Sequence, residues 1–431
     1  MIFLNHEKFI CGCRQRENCF IRNRKLSAKD IAFFILNKKN RDLETEVIDF
    51  CEQYKGGVSI TKQAFSQARL NFRTEVFKDI NDFHIKQIYG VEPELKDYKG
   101  RYVIAIDGTD VPIPTTKENI IKFGNASVKH AGEEVRACAM ASASVAYDVM
   151  NRLILDSDIA PYKLDERLYA KRHIDHIKTI LPGDRKQLYV MDRGYPSMDL
   201  IIHLLETKSE FVIRLPQITF KRERSEMETD DAIIDVILDK SRISPYKGTA
   251  FAEKLAQIGS LRLRFTKIKL SDNTDEYLIS NLNQSEFMFE DIKKLYGLRW
   301  RIEGLYNILK NKMFLSNFSG IKPEIIKQDF YATIFLFNLI SDLEQQQFED
   351  DEIPYDDLIY KVNDNRAIGT LKRMLIELVM AKSGAERGRI YKIIVKKIQS
   401  RLVKIKEGRH YDRYCGNVTK RESSNNYKKS Y

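Results

Sequence analysis

The sequence predicts an α/β protein in which helical N-terminal and C-terminal regions flank a core that a β-rich insertion interrupts. Three observations support this fold class. Residues 1–98 carry helix-capping patterns ahead of apolar runs. Residues 99–216 alternate compact apolar runs with helical stretches. Residues 217–290 alternate apolar and charged residues, above all in LRLRFTKIKL, as strands do.

Chain length, apolar runs and cysteine count limit the classes of protein to which this sequence can belong. A chain of 431 residues has room for about two to four domains. No apolar run is long enough to span a bilayer, and Glu7 and Lys8 interrupt the N-terminal apolar stretch, so no signal peptide is predicted. Six cysteines fit a reducing cytosol. Cys11, Cys13 and Cys19 lack a fourth ligand at zinc spacing.

Positive charge is concentrated at the C-terminal end. The formal net charge is +11, and residues 386–431 hold fourteen Lys and Arg against four Asp and Glu, a balance of +10. Such a field suits a polyanion such as nucleic acid or an anionic membrane surface. The other interpretation is a disordered, solvated tail, and the two interpretations are not exclusive.

The N-terminal region, residues 1–98, reads as helices with many basic residues. LSAKDIAFFIL begins at Ser27 with Asp30 three positions later, a capping-box pattern. SITKQAFSQARLNF predicts another helix, opened by Ser59 or Thr61. The region is either a helical DNA-binding module or a helical cap with a basic face.

The first part of the core, residues 99–216, begins with RYVIAIDGTDVPIP. We expect a strand that Asp107 ends, followed by a turn at Gly108 and Pro112. Two strands that pair around a turn near Asn151 are predicted in CAMASASVAYDVMNRLILDSDI. A strand, a turn, a helix and a second strand are predicted in KQLYVMDRGYPSMDLIIHLLETKSEFVIRL. Asp192 is expected to close its strand as Asp107 does.

Helices are predicted on both sides of the insertion. In ERLYAKRHIDHIKTIL, we expect His173 and His176 to face solvent. The second part of the core, residues 291–345, ends in an amphipathic helix from Ile325 to Leu343. An acidic surface connection and the helical, basic C-terminal region, residues 346–431, follow.

The stretch YGLRWRIEGLYNILK places one carboxylate among cations. On a helix that advances about 100° per residue, four side chains fall within roughly 60° of one another: Tyr296, Arg299, Glu303 and Lys310. This strip is either a solvated face with ion pairs or an acidic catalytic residue beside phosphate-binding neighbours.

Asp107, Asp192 and Glu303 are candidate metal ligands. Mg²⁺ prefers carboxylate oxygens together with water and substrate phosphate. A pair of such ions activates the attacking oxygen and stabilises the leaving oxygen in a displacement at phosphorus. Each acid taken alone has an ordinary alternative as a turn, cap or surface residue.

The three motifs together resemble the DDE transposases of bacterial insertion sequences. IDGTD resembles the motif of the first aspartate and DRGYPSMDLIIHLL that of the second. Tyr296, Arg299, Glu303 and Lys310 fit the Y-x2-R-x3-E-x6-K signature. The 111 positions between Asp192 and Glu303 resemble the branch in which a β-rich insertion interrupts an RNase H-like core. The likeness covers roughly residues 25–425.

This resemblance implies a function and its residues. Asp107, Asp192 and Glu303 would be catalytic and would bind Mg²⁺, with Mn²⁺ as a substitute. The DNA-binding residues would be Tyr296, Arg299, Lys310, Arg193 and Trp300, although packing against the sheet is the favoured role of Trp300. The partners would be terminal inverted repeats and target DNA, with a homodimer in the synaptic complex and no membrane. The location would be the bacterial cytoplasm, at the nucleoid.

One departure and two alternatives accompany this expectation. Some relatives carry a tryptophan in the insertion that stacks on a flipped base. The insertion here has none, and Tyr246, Phe251 or Phe265 would have to replace it. The hairpin route of second-strand cleavage is therefore open. Besides a cut-and-paste transposase, the sequence allows a stand-alone nuclease on the same core or a catalytically inactive, transposase-derived DNA-binding protein.

Overall fold

The computed structural model describes residues 11–22, 24–39, 41–91, 95–128, 136–163, 165–183, 185–270, 275–345, 360–400 and 402–404. They form a mixed α/β structure around one large sheet. In β1, alternate side chains enter different apolar clusters: Val103 and Ala105 join one, and Ile104 and Ile106 join the other. Because successive side chains of a strand point to opposite faces, the sheet separates two cores.

The part of residues 1–98 that the structure describes is helical, as predicted, and includes α1 (Ala28–Asn37), α2 (Leu43–Tyr54), α3 (Lys62–Leu70) and α4 (Val76–Val91). The capping box that opens α1 is confirmed, because Ser27 and Asp30 each accept a hydrogen bond from the other's backbone N–H. Thr61, one of the two residues predicted to open α3, caps that helix through the backbone N–H of Ala64.

A buried ion pair joins this N-terminal region to the rest of the protein. Arg69 in α3 is 1% exposed and lies 2.7 Å from Asp329. Arg69 also donates to Gln328, and Asp329 lies 3.4 Å from Lys38. The four helices therefore share a core with the later part of the chain.

Five strands form the centre of the sheet: β1 (Arg101–Pro112), β3 (Arg136–Asp148), β4 (Leu153–Pro161), β5 (Lys186–Met191) and β6 (Glu210–Arg214). They lie in the order β4-β3-β1-β5-β6, with the first three antiparallel and the last three parallel. This is the α/β arrangement that the resemblance to an RNase H-like core implies. Helix α5 (Lys117–Phe123) and the short strand β2 (Asn125–Val128), which pairs with β3, follow β1.

The expected end of β1 was wrong. The strand continues through Asp107 and Gly108 to Pro112 because β3 pairs with it along that whole length, from Ile104–Asp148 to Pro112–Met140. The predicted turn residues therefore lie within a strand. Pairing with a distant segment is invisible to a local reading of the sequence.

Two helices connect the parallel strands as predicted: α6 (Glu166–Ile180) and α7 (Met198–Glu206). The expectation that His173 faces solvent was wrong, because this side chain of α6 is completely buried. Its ring contacts Asp156 of β4, which stands 17 positions earlier in the sequence. The residue pattern within α6 does not reveal this contact. His176 is partly buried, with Nε2 3.0 Å from Asp82.

Residues 217–290 contain three strands, as their alternation predicts: β7 (Asp231–Ile237), β8 (Ser260–Lys269) and β9 (Asp275–Ser280). These strands continue the central sheet, because β9 pairs with β6 and β8 lies between β9 and β7. The same segment includes helices that the sequence did not predict: α8 (Lys221–Ser225), α9 (Lys240–Ile243), a 3₁₀ turn (Ser244–Tyr246) and α10 (Ala250–Ile258).

The stretch YGLRWRIEGLYNILK forms the end of one helix and most of the next. These are α11 (Phe289–Leu298) and α12 (Trp300–Asn311). Arg299 lies between them with helical backbone angles, so the single predicted helix is interrupted only in its hydrogen bonding. Helix α13 (Pro323–Gln345) follows. It is buried on most sides rather than amphipathic, because it packs against both the sheet and the N-terminal helices.

Two further helices and a small sheet end the described part: β10 (Tyr360–Val362), α14 (Asp364–Met380), α15 (Gly384–Gln399) and β11 (Leu402–Lys404). Ile394, Val395 and Ile398 of α15 are fully buried, so the start of the predicted basic tail belongs to a packed helix. Most of the acidic connection and residues 405–431 lie outside the described residues. None of the described helices combines the length and apolarity needed to cross a bilayer.

Candidate active site

The two candidate aspartates follow matching positions of neighbouring parallel strands. Strands β1 and β5 pair in register up to Ile106 and Met191, so Asp107 and Asp192 both come directly after the last pair. The carboxyl ends of parallel strands meet at one edge of a sheet, and ligands commonly bind there. The sequence therefore predicted this juxtaposition correctly, although only Asp192 ends its strand.

Asp107 lies in a partly buried, acidic environment. Burial raises its pKa to about 6, and the neighbouring carboxylates of Glu166 and Asp192 contribute. The backbone N–H of Gly108 and the guanidinium of Arg299 act in the opposite direction. An opposite charge placed near this group would lower its pKa again, which is what a divalent cation does.

Asp192 is held by donors from three elements. Its Oδ1 accepts a hydrogen bond of 2.7 Å from the backbone N–H of Arg193 and one of 3.3 Å from the hydroxyl of Tyr296. Arg214 of β6 lies 3.8 Å away and is bound more closely to Glu276, at 2.9 Å. The side chain of Arg193 is exposed. Tyr296, the first residue of the signature, thus reaches the second aspartate.

Glu303 and Arg299 form an ion pair on the two consecutive helices. Arg299 Nη2 lies 3.4 Å from Glu303 Oε1. The guanidinium also lies over the rings of Trp300 and Tyr296, at 5.0 and 5.5 Å. Arg299 is only 3% exposed, so it contacts the carboxylates from within the protein. Both the surface ion-pair alternative and the catalytic alternative remain compatible with this geometry.

Trp300 is not buried against the sheet, which was its favoured role. Its side chain is 51% exposed, whereas Ile302 and Leu305 of the same helix are buried. The reason is helical periodicity: the buried face of α12 is taken by those apolar residues, and Trp300 begins the helix on another side. An exposed indole beside the candidate site is a surface on which a base could stack.

Lys310 reaches back to β1. Its ammonium donates to Thr109 Oγ1 and to the carbonyl of Asp110. Burial lowers the pKa of Lys310, while Asp110 and Asp107 partly offset that effect. Tyr306 of the same helix donates a hydrogen bond of 2.7 Å to the carbonyl of Asp107. These contacts anchor α12 on the strand that carries the first aspartate.

Sequence reasoning missed a carboxylate and a hydroxyl beside the two aspartates. Glu166 begins α6, and Tyr195 completes the turn that follows Asp192. Glu166 influences the pKa of Asp107, and Tyr195 is 1% exposed. The only local signal was an acidic residue in the first turn of a predicted helix, which is ordinary.

Comparison with known proteins decides the family. The family model described as "Transposase DDE domain" matches residues 98–339, more than half of the chain. The chain belongs to the DDE transposase family. The matched region of this DDE transposase begins just before β1 and ends within α13, so it includes Asp107, Asp192 and Glu303.

A solved structure resembles the DDE transposase over most of its length. It is described as the cryo-EM structure of the piggyBac transposase synaptic complex with hairpin DNA. The match has a TM-score of 0.45 and 9% sequence identity, and it covers 92% of this chain and 84% of that chain. No curated protein sequence matches the chain significantly.

The DDE transposase has one compact group of metal-ligating side chains away from these acids. Among the described residues, Asp156, Asp158 and His173 form a group whose ligand atoms all lie within 4.8 Å of one another, whereas Asp107, Asp192 and Glu303 do not. Cys11, Cys13 and Cys19 form no such group either.

Other side chains of the protein already bind Asp156, Asp158 and His173. Lys78 Nζ lies 3.0 Å from Asp156 and 3.1 Å from Asp158. Both ring nitrogens of His173 have partners, Asp156 at 2.7 Å and Ser144 at 3.0 Å. Burial alone would raise the pKa of Asp156, but His173 and Lys78 hold it below its usual value. A metal ion would have to displace Lys78, so the group is a buried ion-pair network rather than a metal site.

Asp107 and Asp192 fit a divalent metal better than this buried network does. Asp107 and Asp192 offer hard oxygen ligands, and their side chains are only partly buried. The hydroxyl of Tyr195 is buried beside them without a hydrogen-bond partner among the described residues. Such a hydroxyl is available to an oxygen atom of a bound ligand.

Proposed function

We propose that the protein is a cut-and-paste DNA transposase. It would cleave DNA at terminal inverted repeats in the presence of Mg²⁺, with Mn²⁺ as a substitute, and join the freed 3′-OH to target DNA. The observation that carries this proposal is that Asp107 and Asp192 both come directly after the last paired residues of the parallel strands β1 and β5, in a chain of the DDE transposase family.

Asp107, Asp192 and Glu303 would hold the metal. When bound, Mg²⁺ supplies positive charge that stabilises the attacking and leaving oxygens of an in-line displacement at phosphorus. The aspartates are fixed by the sheet, by the N–H groups of Gly108 and Arg193 and by Tyr296. Glu303 pairs with Arg299, so its metal ligation requires that ion pair to loosen or to be shared.

Five side chains around the acids would contact DNA: Tyr296, Arg299, Trp300, Lys310 and Arg193. Arg193 and Trp300 are exposed and are suited to direct contact with phosphate and base. Arg299 and Lys310 are more enclosed and already bind the protein's own oxygens. We assign them to positioning Glu303 and β1 as well as to holding phosphate.

The N-terminal helices would recognise the transposon ends. A groove between the segment before α1 and α3 is lined by Arg16, Arg22, Arg24 and Lys25. Its positive charge suits a DNA backbone. We propose that two copies of the chain assemble with two ends in a synaptic complex, in the bacterial nucleoid.

The insertion limits the route of second-strand cleavage. Phe265 is fully buried, which removes it as a base-stacking substitute for tryptophan. Tyr246 and Phe251 are partly buried and pack against each other edge to face, with ring centroids 4.8 Å apart. A flipped base would have to displace one of these rings, so hairpin formation stays a subject for experiment.

The test is cleavage of labelled DNA duplexes that carry the native element ends. In Mg²⁺, the wild-type protein should nick at the end and then join that end to a plasmid. Asp107→Asn should bind the same ends without cutting them. Cleavage of any duplex without end preference or joining would instead identify a stand-alone nuclease. Specific binding without cleavage would identify an inactive DNA-binding protein.

A further inference from the structure

Glu166 lies between the two turns that carry the candidate aspartates. A Cβ atom built on Gly108 would lie 2.7 Å from Glu166 Oε1, and one built on Gly194 would lie 3.4 Å from Glu166 Oε2. Gly108 follows Asp107 directly, and Gly194 stands two residues after Asp192. Both oxygens of one carboxylate therefore lie near the backbone that follows the two acids, in space that side chains at positions 108 and 194 would approach.

The absence of a side chain at position 108 gives Glu166 the room for this approach. No real Cβ atom tolerates a contact of 2.7 Å, so any residue other than glycine at position 108 would push Glu166 away. Neither glycine is needed for its backbone angles, because neither has a positive φ. Close approach of the Glu166 carboxylate explains a glycine at position 108, whereas a Cβ atom at position 194 would make only an ordinary contact.

Tyr195 is a second observation that points to a ligand. Its side chain is 1% exposed, and its hydroxyl has no hydrogen-bond partner among the described residues. Burial raises the pKa of Tyr195 well above its usual value, and the carboxylates of Glu166, Asp107 and Asp192 raise it further. A buried hydroxyl that lies within the electrostatic influence of three carboxylates, yet has no hydrogen-bond partner among the described residues, can bond to a group bound near them.

We propose that Glu166 is a further carboxylate ligand of the divalent metal site that Asp107 and Asp192 form. The inference rests on the proposed function, since it assumes that these aspartates bind metal. Glu166 is exposed, so an ion and its waters can reach it. The ligand atoms of Asp107, Asp192 and Glu166 are not all within 4.8 Å of one another, but both neighbouring charges raise the pKa of Asp107, and a divalent ion between the three carboxylates would reverse that repulsion.

An ordinary role competes with this one. An acidic residue in the first turn stabilises a helix through the helix dipole, and Glu166 occupies the first turn of α6. Glu118 occupies the first turn of α5 and pairs with Lys322 on the surface. Glu118→Gln is therefore a matched control, because it removes the same charge from the first turn of another helix.

The experiment is titration of the full-length protein with Mn²⁺, without DNA, followed by calorimetry or by the Mn²⁺ paramagnetic resonance signal. Glu166→Gln should weaken Mn²⁺ binding by at least about tenfold, as should Asp107→Asn, whereas Glu118→Gln should change it by less than about twofold. Glu166→Asp, which keeps the charge on a shorter side chain, should give an intermediate affinity and covers the case in which Glu166→Gln fails to fold.

Three results would overturn the inference. If Glu166→Gln binds Mn²⁺ as the wild type does while Asp107→Asn does not, Glu166 is only a helix-end residue. If Glu166→Gln and Glu118→Gln weaken binding equally, the effect belongs to net charge. If the wild type binds no Mn²⁺, the metal site itself is absent. DNA cleavage is measured separately, so a failure of the transposase proposal can be distinguished from a failure of the inference about Glu166.

Discussion

Removing Arg69 should destabilise the protein strongly, although Arg69 lies far from the candidate site in sequence. The side chains of Arg69 and Asp329 are 1% and 2% exposed and lie 2.7 Å apart. Loss of one partner of a buried pair costs about 3–5 kcal/mol because the other charge stays buried. Lys38 remains 3.4 Å from Asp329 and softens the loss. We therefore expect Arg69→Ala to lower the free energy of unfolding by about 3 kcal/mol.

The assay is urea unfolding at pH 7, with Lys62→Ala as the control. Lys62 pairs with Glu44 on the surface, where both side chains are well exposed, so its loss should cost less than about 1 kcal/mol. If Arg69→Ala costs no more than Lys62→Ala, the reasoning about the buried pair is refuted, and the N-terminal helices are not fastened to α13 by this contact.

The pH dependence gives an independent check. Burial alone would raise the pKa of Asp329, but Arg69 and Lys38 hold it at about 2, below its ordinary value of 3.8. A depressed carboxyl pKa contributes stability above the unfolded-state value, and that contribution is lost as pH falls towards the folded-state value. The difference in stability between the wild type and Arg69→Ala should therefore shrink as pH falls from about 4 to about 2.

Four further predictions concern the site and the C-terminal region. Glu303→Gln should abolish cleavage while end binding in Ca²⁺, measured by gel shift, survives; near wild-type cleavage would show that Glu303 is a surface ion-pair residue. Arg299→Ala should weaken both, because its guanidinium holds Glu303. Truncation after Lys404 should flatten the salt dependence of DNA binding, since it removes cations without cutting α15; an unchanged slope would show that these residues do not contact phosphate. Gly108→Ala should reduce Mn²⁺ affinity through its clash with Glu166, and unchanged affinity would argue against that contact's importance.

Local patterns predicted what depends on local physics. The capping box at Ser27 and the strand before Asp192 follow from short stretches of sequence, and both were correct. The end of β1 and the burial of His173 were wrong, because each depends on a partner strand that is remote in sequence.

The same limit explains which residues of the candidate site could be predicted from the sequence. The order of motifs indicated Asp107 and Asp192, since each stands at the end of an apolar run. Glu166 carries no such signal, because only the packing of α6 against the sheet brings its carboxylate to two glycines. Trp300 shows the converse: a lone tryptophan suggests burial, but helical phase exposes it.

The way residues 217–290 join the sheet bears on attempts to shorten this protein. Strand β9 covers β6 from Val212 to Arg214. Deletion of the insertion would leave unpaired the N–H and C=O groups of β6 that face β9, while those that face β5 keep their partners, and such open edges recruit other strands and promote aggregation. Arg214 would also lose Glu276, its closest acidic partner, and would be left beside Asp192. A minimal version of the core would therefore need a replacement strand rather than a short loop.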